Sequence, residues 1–154
     1  MTDEPRSTRR HQGNIEIHVT VAGTRVRKSY ILECMNHSAK RLTRPLGHLD
    51  VIIVNDRKMT QLNKQYLNEK GTTDVLTFDL TGPDGNALEG DIYISLDQAK
   101  FQAKHYGVGL NEEIARLAVH GVLHLAGYRD QSVTQKRQMR WMEEESLAAA
   151  GREK

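Results

Sequence analysis

The sequence predicts an α+β fold, a four-stranded mixed sheet with about five helices packed on it. Three observations carry this. Apolar residues alternate with polar ones near the N-terminus and form short apolar blocks at three later places, the patterns of half-buried and buried strands. Between and after these blocks, apolar residues recur every three or four positions, as on the buried face of a helix. The resulting order, β-α-β-α-β-β-α-α-α, holds one direct strand-to-strand connection among helical ones.

Residues 1–13 are polar and charged, include Pro5 and Gly13, and read as a flexible tail; residues 14–150 read as one domain. Ile15, Ile17, Val19 and Val21 alternate with Glu16, His18 and Thr20, which predicts the first strand. Tyr30, Ile31, Cys34, Met35 and Ala39 give a helix within 25–42, with Cys34 on its apolar face. The run from Leu49 to Asn55 contains a short buried strand. Asn55 or Asp56 can cap the next helix, in which Met59, Leu62, Tyr66 and Leu67 recur. Residues 74–80 and 91–96 predict two further strands, joined by a turn-rich stretch as a hairpin with a long loop. A short helix over 97–106 ends before Gly107. The next helix has Asn111 as a plausible N-cap, Glu112 and Glu113 at its positive end, and Gly127 as a C-cap candidate near Leu125. A last helix covers about 132–149.

The chain has 154 residues, enough for one sizeable core. Its net charge of +2 excludes bulk charge as an argument for nucleic-acid binding, so such an argument must rest on local patches. A single cysteine excludes an intrachain disulfide and a cysteine-based zinc finger. No apolar run is long enough to cross a membrane, and the N-terminus lacks an apolar signal core; the expected compartment is the cytoplasm.

The segment His120-Gly-Val-Leu-His124-Leu-Ala-Gly127-Tyr-Arg-Asp130 carries the chemistry. His120 and His124 stand one helical turn apart on one face. Gly127 lets the chain leave the helix and fold back, so Asp130 can turn its carboxylate toward the imidazoles. Two imidazoles and a carboxylate suit one Zn²⁺ per chain, and three protein ligands leave a fourth position for water, as in catalytic sites. No side chain is assigned as general base. The alternative is structural: two histidines bonded to backbone carbonyls, with Asp130 capping the last helix. Arg116, four residues before His120, lies on the same side and could hold a phosphate, or could be an ordinary helix arginine. His11, His18, His37, His48 and His105 lack ligand spacing and read as surface or strand residues.

HGVLHLAGYRD resembles the H-G-x-L-H-L-x-G-Y-D-H motif of the YbeY family of bacterial rRNA-maturation endoribonucleases, and residues 73–78, TDVLTF, resemble that family's T-D-V-L-S-F. The element order and a Gly90-Asp91-Ile92 turn into the last strand also match. The resemblance implies a zinc-dependent, single-strand-specific endoribonuclease of small-subunit (16S) rRNA maturation and ribosome quality control. Its partners would be rRNA, the small ribosomal subunit and other assembly factors. Two positions depart from the family pattern: Asp130 stands where the family has a third histidine, after Arg129 in place of an aspartate, and Leu67 stands where an arginine follows the tyrosine matched by Tyr66. Lys64 and Lys70 are nearby in sequence and could supply the missing cation. Thr73 and Asp74 could line the cleft, or Asp74 could cap a strand end. Arg6, Arg9, Arg10, Arg25, Arg27, Lys28, Lys40, Arg41 and Arg44 offer local positive charge to an RNA backbone.

Two other functions compete. In a metalloprotease of similar spacing the general base is a glutamate directly after the first histidine, and here that residue is Gly121. A non-enzymatic ribosome-assembly factor with a structural metal is the other. Within the nuclease reading, the nucleophile is either a water or an RNA 2′-hydroxyl.

Overall fold

The computed structural model describes residues 14–151. The expected tail, with His11 and three of its arginines, lies outside them. The elements are β1 (Asn14–Val19), α1 (Lys28–Ala39), β2 (Leu46–Val54), α2 (Asp56–Leu67), β3 (Val75–Asp79), β4 (Leu88–Ser95), α3 (Leu96–Tyr106), α4 (Leu110–Leu125) and α5 (Val133–Ala149). The sheet order is β1-β2-β4-β3. β1, β2 and β4 run parallel and β3 pairs antiparallel to β4, so the sheet is mixed and the fold is α+β as the pattern predicts.

The period of two along each strand divides the sheet into faces. One face sends Ile17, Leu49, Val51, Ile53, Ile92 and Ile94 into the main core against α1 and α4, with Cys34 buried there. The other face is covered by α2 over Val54, Leu76, Met59 and Leu62, with Ile52, Phe78 and Tyr93 packed at the edge. Glu16, His18, His48 and Asp50 alternate with the core residues of β1 and β2 and stay on the open part of this second face.

Two strands begin earlier than local pattern indicates. β2 starts at Leu46 and β4 at Leu88, because these residues pair with each other and Leu88 N–H donates to Pro45 O at 2.9 Å. Gly90 is therefore inside β4 and not in a turn leading to it. A Cβ there would lie 2.4 Å from the Phe78 carbonyl oxygen and 3.3 Å from Leu125, so glycine is required by close approach of strand and helix. Asn111 is not the cap of α4. Gly109 holds that position, and the buried Asn111 amide accepts from Arg27 N–H at 2.8 Å and donates to the Arg25 carbonyl, fastening the segment before α1 onto α4.

α4 is the central helix, and most of its residues are buried. It ends in a Schellman motif: Gly127 has φ +103°, its N–H donates to His124 O, and Tyr128 N–H donates to Leu123 O, both at 3.0 Å. This reversal is what allows the following residues to return toward the helix.

Candidate metal centre

His120 sits on α4 where the helix leaves the core, and α5 passes beside it. Its Nδ1 donates to Glu143 Oε2 at 2.7 Å, and Glu143 is buried on α5. An ionised carboxylate only accepts, so this bond places the neutral imidazole's proton on Nδ1 and leaves the lone pair on Nε2. Nε2 faces Asp130 Oδ2 at 3.5 Å. Two acceptors turned toward each other at that distance call for a cation, a proton or a metal, between them. The reversal at Gly127 thus brings Asp130 to His120. Asp130 does not cap α5: Ser132 does, in a capping box with Gln135. His124 is exposed, and its ring centroid lies 6.0 Å from that of His120.

Arg116 is also drawn into this network, and its expected role changes accordingly. Its guanidinium donates to both oxygens of the buried Glu113, to Glu143 Oε1 at 3.0 Å and to Gln102 Oε1 at 3.5 Å. Burial alone would lower the Arg116 pKa, but Glu113 and Glu143 outweigh it and hold the charge on more firmly than usual. The cation is used to balance two buried carboxylates, so Arg116 supports the centre instead of presenting itself to phosphate. For His120, burial likewise acts to lower the pKa, while Glu143 foremost, then Asp130 and Asp74, raise it; the net shift is upward. The carboxylates that favour a second proton at Nε2 would favour a metal ion there for the same electrostatic reason.

Asp74 reaches the same neighbourhood from the other side. Its Oδ2 accepts from Gln102 Nε2 at 3.1 Å, and Thr73 Oγ1 donates to its Oδ1 at 3.4 Å. The loop is pinned by Asp56, whose carboxylate accepts from Ser95 Oγ, Gln98 Nε2 and Thr72 Oγ1. Lys64 and Lys70 are exposed, in the last turn of α2 and the loop after it. No described hydrogen bond or ion pair ties either to His120. Leu67, at the position of the family arginine, is 48% exposed. At Gly121 a Cβ would fall 2.7 Å from Ile92 Cγ2, so the close packing of α4 on β4 leaves no room for the glutamate a protease would need.

Glu143 is not among the residues the sequence singles out, and Glu113 is read there only as an acidic residue at the positive end of its helix. A signal for Glu143 existed: it shares the buried face of α5 with Met139, Met142, Ser146 and Leu147, and a carboxylate among apolar residues requires a buried partner.

The sheet carries a second arrangement that sequence spacing did not reveal. Among the described residues, Glu16, His18 and Asp50 are the set of three whose candidate donor atoms all lie within 4.8 Å of one another, and they could hold a metal ion; the predicted trio of His120, His124 and Asp130 does not close to that distance. His18 Nε2 donates to Asp50 Oδ1 at 2.7 Å and His48 Nε2 to Asp50 Oδ2 at 2.9 Å. His18 and His48 are exposed strand residues, as their sequence context predicts, and strand register adds the shared partner Asp50. Parallel register sets Glu16 against Asp50, and Asp50 against Asp91, across residues distant in the chain.

Comparison with known proteins agrees with the motif. The family model described as Endoribonuclease YbeY matches residues 11–151. Curated proteins named Endoribonuclease YbeY include one from Bacteroides thetaiotaomicron, 32% identical over 123 residues, covering 80% of this chain and 88% of the relative. Another, from Flavobacterium johnsoniae, is 36% identical over 102 residues, covering 66% and 72%. The solution structure of TM1509 from Thermotoga maritima aligns with a TM-score of 0.59 and 25% identity, over 88% of this chain and 90% of that one. The chain belongs to the YbeY family of endoribonucleases. No helix among its described residues is long and apolar enough to cross a membrane.

Proposed function

We propose that this chain is a zinc-dependent, single-strand-specific endoribonuclease that matures the 3′ end of small-subunit (16S) rRNA in the cytoplasm and takes part in ribosome quality control. It would work on rRNA in the small ribosomal subunit, alongside other assembly factors. Family membership supports the RNA substrate. The observation that carries the choice of centre is the His120–Glu143 bond, which fixes the tautomer a metal requires.

His120, His124 and Asp130 would hold the ion, with His124 turning inward from the surface. Zinc supplies a Lewis acid for a phosphoryl oxygen and acidifies a bound water when present. Glu143 would hold the imidazole orientation, and Arg116, itself held by Glu113, would hold Glu143 in place. Thr73 and Asp74 line the approach from the loop before β3.

The exposed Leu67 favours a second reading, an assembly factor with a structural metal, because the phosphate-facing cation of the family is missing there. Incubating zinc-loaded protein with single-stranded and duplex RNA separates the two. The nuclease reading expects cleavage of the single strand that is abolished by chelation and by His120→Ala. Full zinc occupancy without cleavage favours the assembly factor, and cleavage unchanged in His120→Ala identifies a contaminant.

A further inference from the structure

We propose that Phe101, His105 and Tyr106 of α3, with Arg140 of α5, form a stacking shelf for unpaired RNA bases beside the His120 centre. The proposal deepens the nuclease reading above and rests on it for the identity of the ligand.

The rings are unusual in their exposure. The chain has only two phenylalanines. Phe78 packs edge-on between Tyr66 and Tyr93, with centroids at 5.3 and 5.8 Å, whereas Phe101 is 68% exposed and Tyr106 is 51% exposed. A single exposed ring needs no explanation. Here the rings are organised. Phe101 and His105, one turn apart, lie parallel within 3° at 6.3 Å; His105 meets Tyr106 edge-on at 5.2 Å; and the Arg140 guanidinium lies 5.5 Å from the Tyr106 centroid. The group presents flat aromatic faces already held by their neighbours, so a base stacking on them orders few additional torsions.

Charge favours a polyanion. Lys100 and Lys104 are exposed and flank Phe101 and His105 on the helix, and Arg140 adds a third cation. Aromatic faces among cations are the pattern of single-strand binding surfaces: every base has a face to stack, and the cations follow the phosphates.

Position links the shelf to the centre. Gln102, next to Phe101, contacts both Asp74 and Arg116. Glu143, one turn beyond Arg140, accepts from His120. Both helices that carry the shelf therefore also carry groups of the His120 network, Gln102 beside Phe101 and Glu143 three residues after Arg140. A strand stacked on the shelf would have its neighbouring phosphates within reach of the centre. A duplex keeps its bases stacked on each other and cannot use the shelf, which supplies a basis for single-strand preference.

The test measures binding of the full chain to a short single-stranded RNA and to a ribose-phosphate oligomer of equal length without bases. Phe101→Leu should weaken binding of the RNA by about tenfold, leave the baseless oligomer unchanged, and be rescued by Phe101→Trp. An unchanged thermal midpoint, expected for so exposed a residue, separates this from misfolding. If Phe101→Leu binds RNA as tightly as wild type while wild type cleaves it, the shelf is overturned, its rings are left to a protein partner, and the nuclease reading stands. Equal weakening for both oligomers also overturns it. RNA binding that depends on Phe101 without any zinc-dependent cleavage supports the shelf and removes the nuclease reading.

Discussion

The molecule gathers histidine and carboxylate twice, and the two clusters differ in what each imidazole offers. On the sheet, the exposed His18 and His48 both point an Nε2–H at Asp50, so the ring atoms nearest the carboxylate are donating protons. On α4, the buried Glu143 accepts from His120 Nδ1–H and turns the second ring nitrogen, Nε2, toward Asp130. Metals bind lone pairs. The closer grouping of donor atoms is on the sheet, but the prepared ligand is on the helix. Proximity of metal-binding residue types is thus a weaker guide than the hydrogen bond on the far side of the ring.

Burial sharpens this contrast in stability. Glu143→Ala would strand Arg116 and His120 without their shared partner in a desolvated site and should cost about 3–5 kcal/mol. Asp50→Ala removes a half-buried carboxylate whose histidine partners are exposed and should cost no more than about 1 kcal/mol. Denaturant unfolding of both variants checks the difference; equal costs would mean that the two clusters are energetically alike.

Glu143→Gln separates charge from shape. The amide oxygen can still accept from His120, but the charge facing Arg116 and His120 is gone. Zinc affinity, followed by competition with a chromophoric chelator, should fall by about 10- to 100-fold. An unchanged affinity would limit Glu143 to a packing role.

Much of this arrangement is legible in the sequence. The alternation in β1, the apolar run in β2 and the spacing of His120 and His124 are local signals, and each lies where the pattern puts it. The bounds of β2 and β4 were not legible, because the pairing of Leu46 with Leu88 extends both strands through residues that look like loop. Gly90 in isolation reads as a breaker; only the neighbouring Phe78 carbonyl shows why it is in a strand. The face of Arg116 is legible but its partner is not, since Glu143 reaches it from a helix 27 residues on. The sheet cluster depends wholly on strand register, which no spacing within one segment encodes.

The smallest expected effect concerns acid. The hydrogen bond from His18, opposed in part by burial and aided by His48, holds the Asp50 pKa below its ordinary 3.8. A carboxylate depressed on folding stabilises the fold above its unfolded pKa, and that contribution is lost as pH falls through the folded value. Asp50→Asn should therefore be slightly less stable than wild type at neutral pH, with the gap closing as pH drops below about 4. Thermal midpoints across that range check it, and a gap independent of pH would remove the His18–Asp50 bond from the account.

The proposed function puts the metal at His120 and not at the sheet cluster. Zinc content measured on purified wild type, His120→Ala and His18→Ala tests it most directly. Wild type and His18→Ala should each carry about one ion per chain, and His120→Ala should lose it. Zinc kept in His120→Ala and lost in His18→Ala would contradict that placement and assign the metal to Glu16, His18 and Asp50.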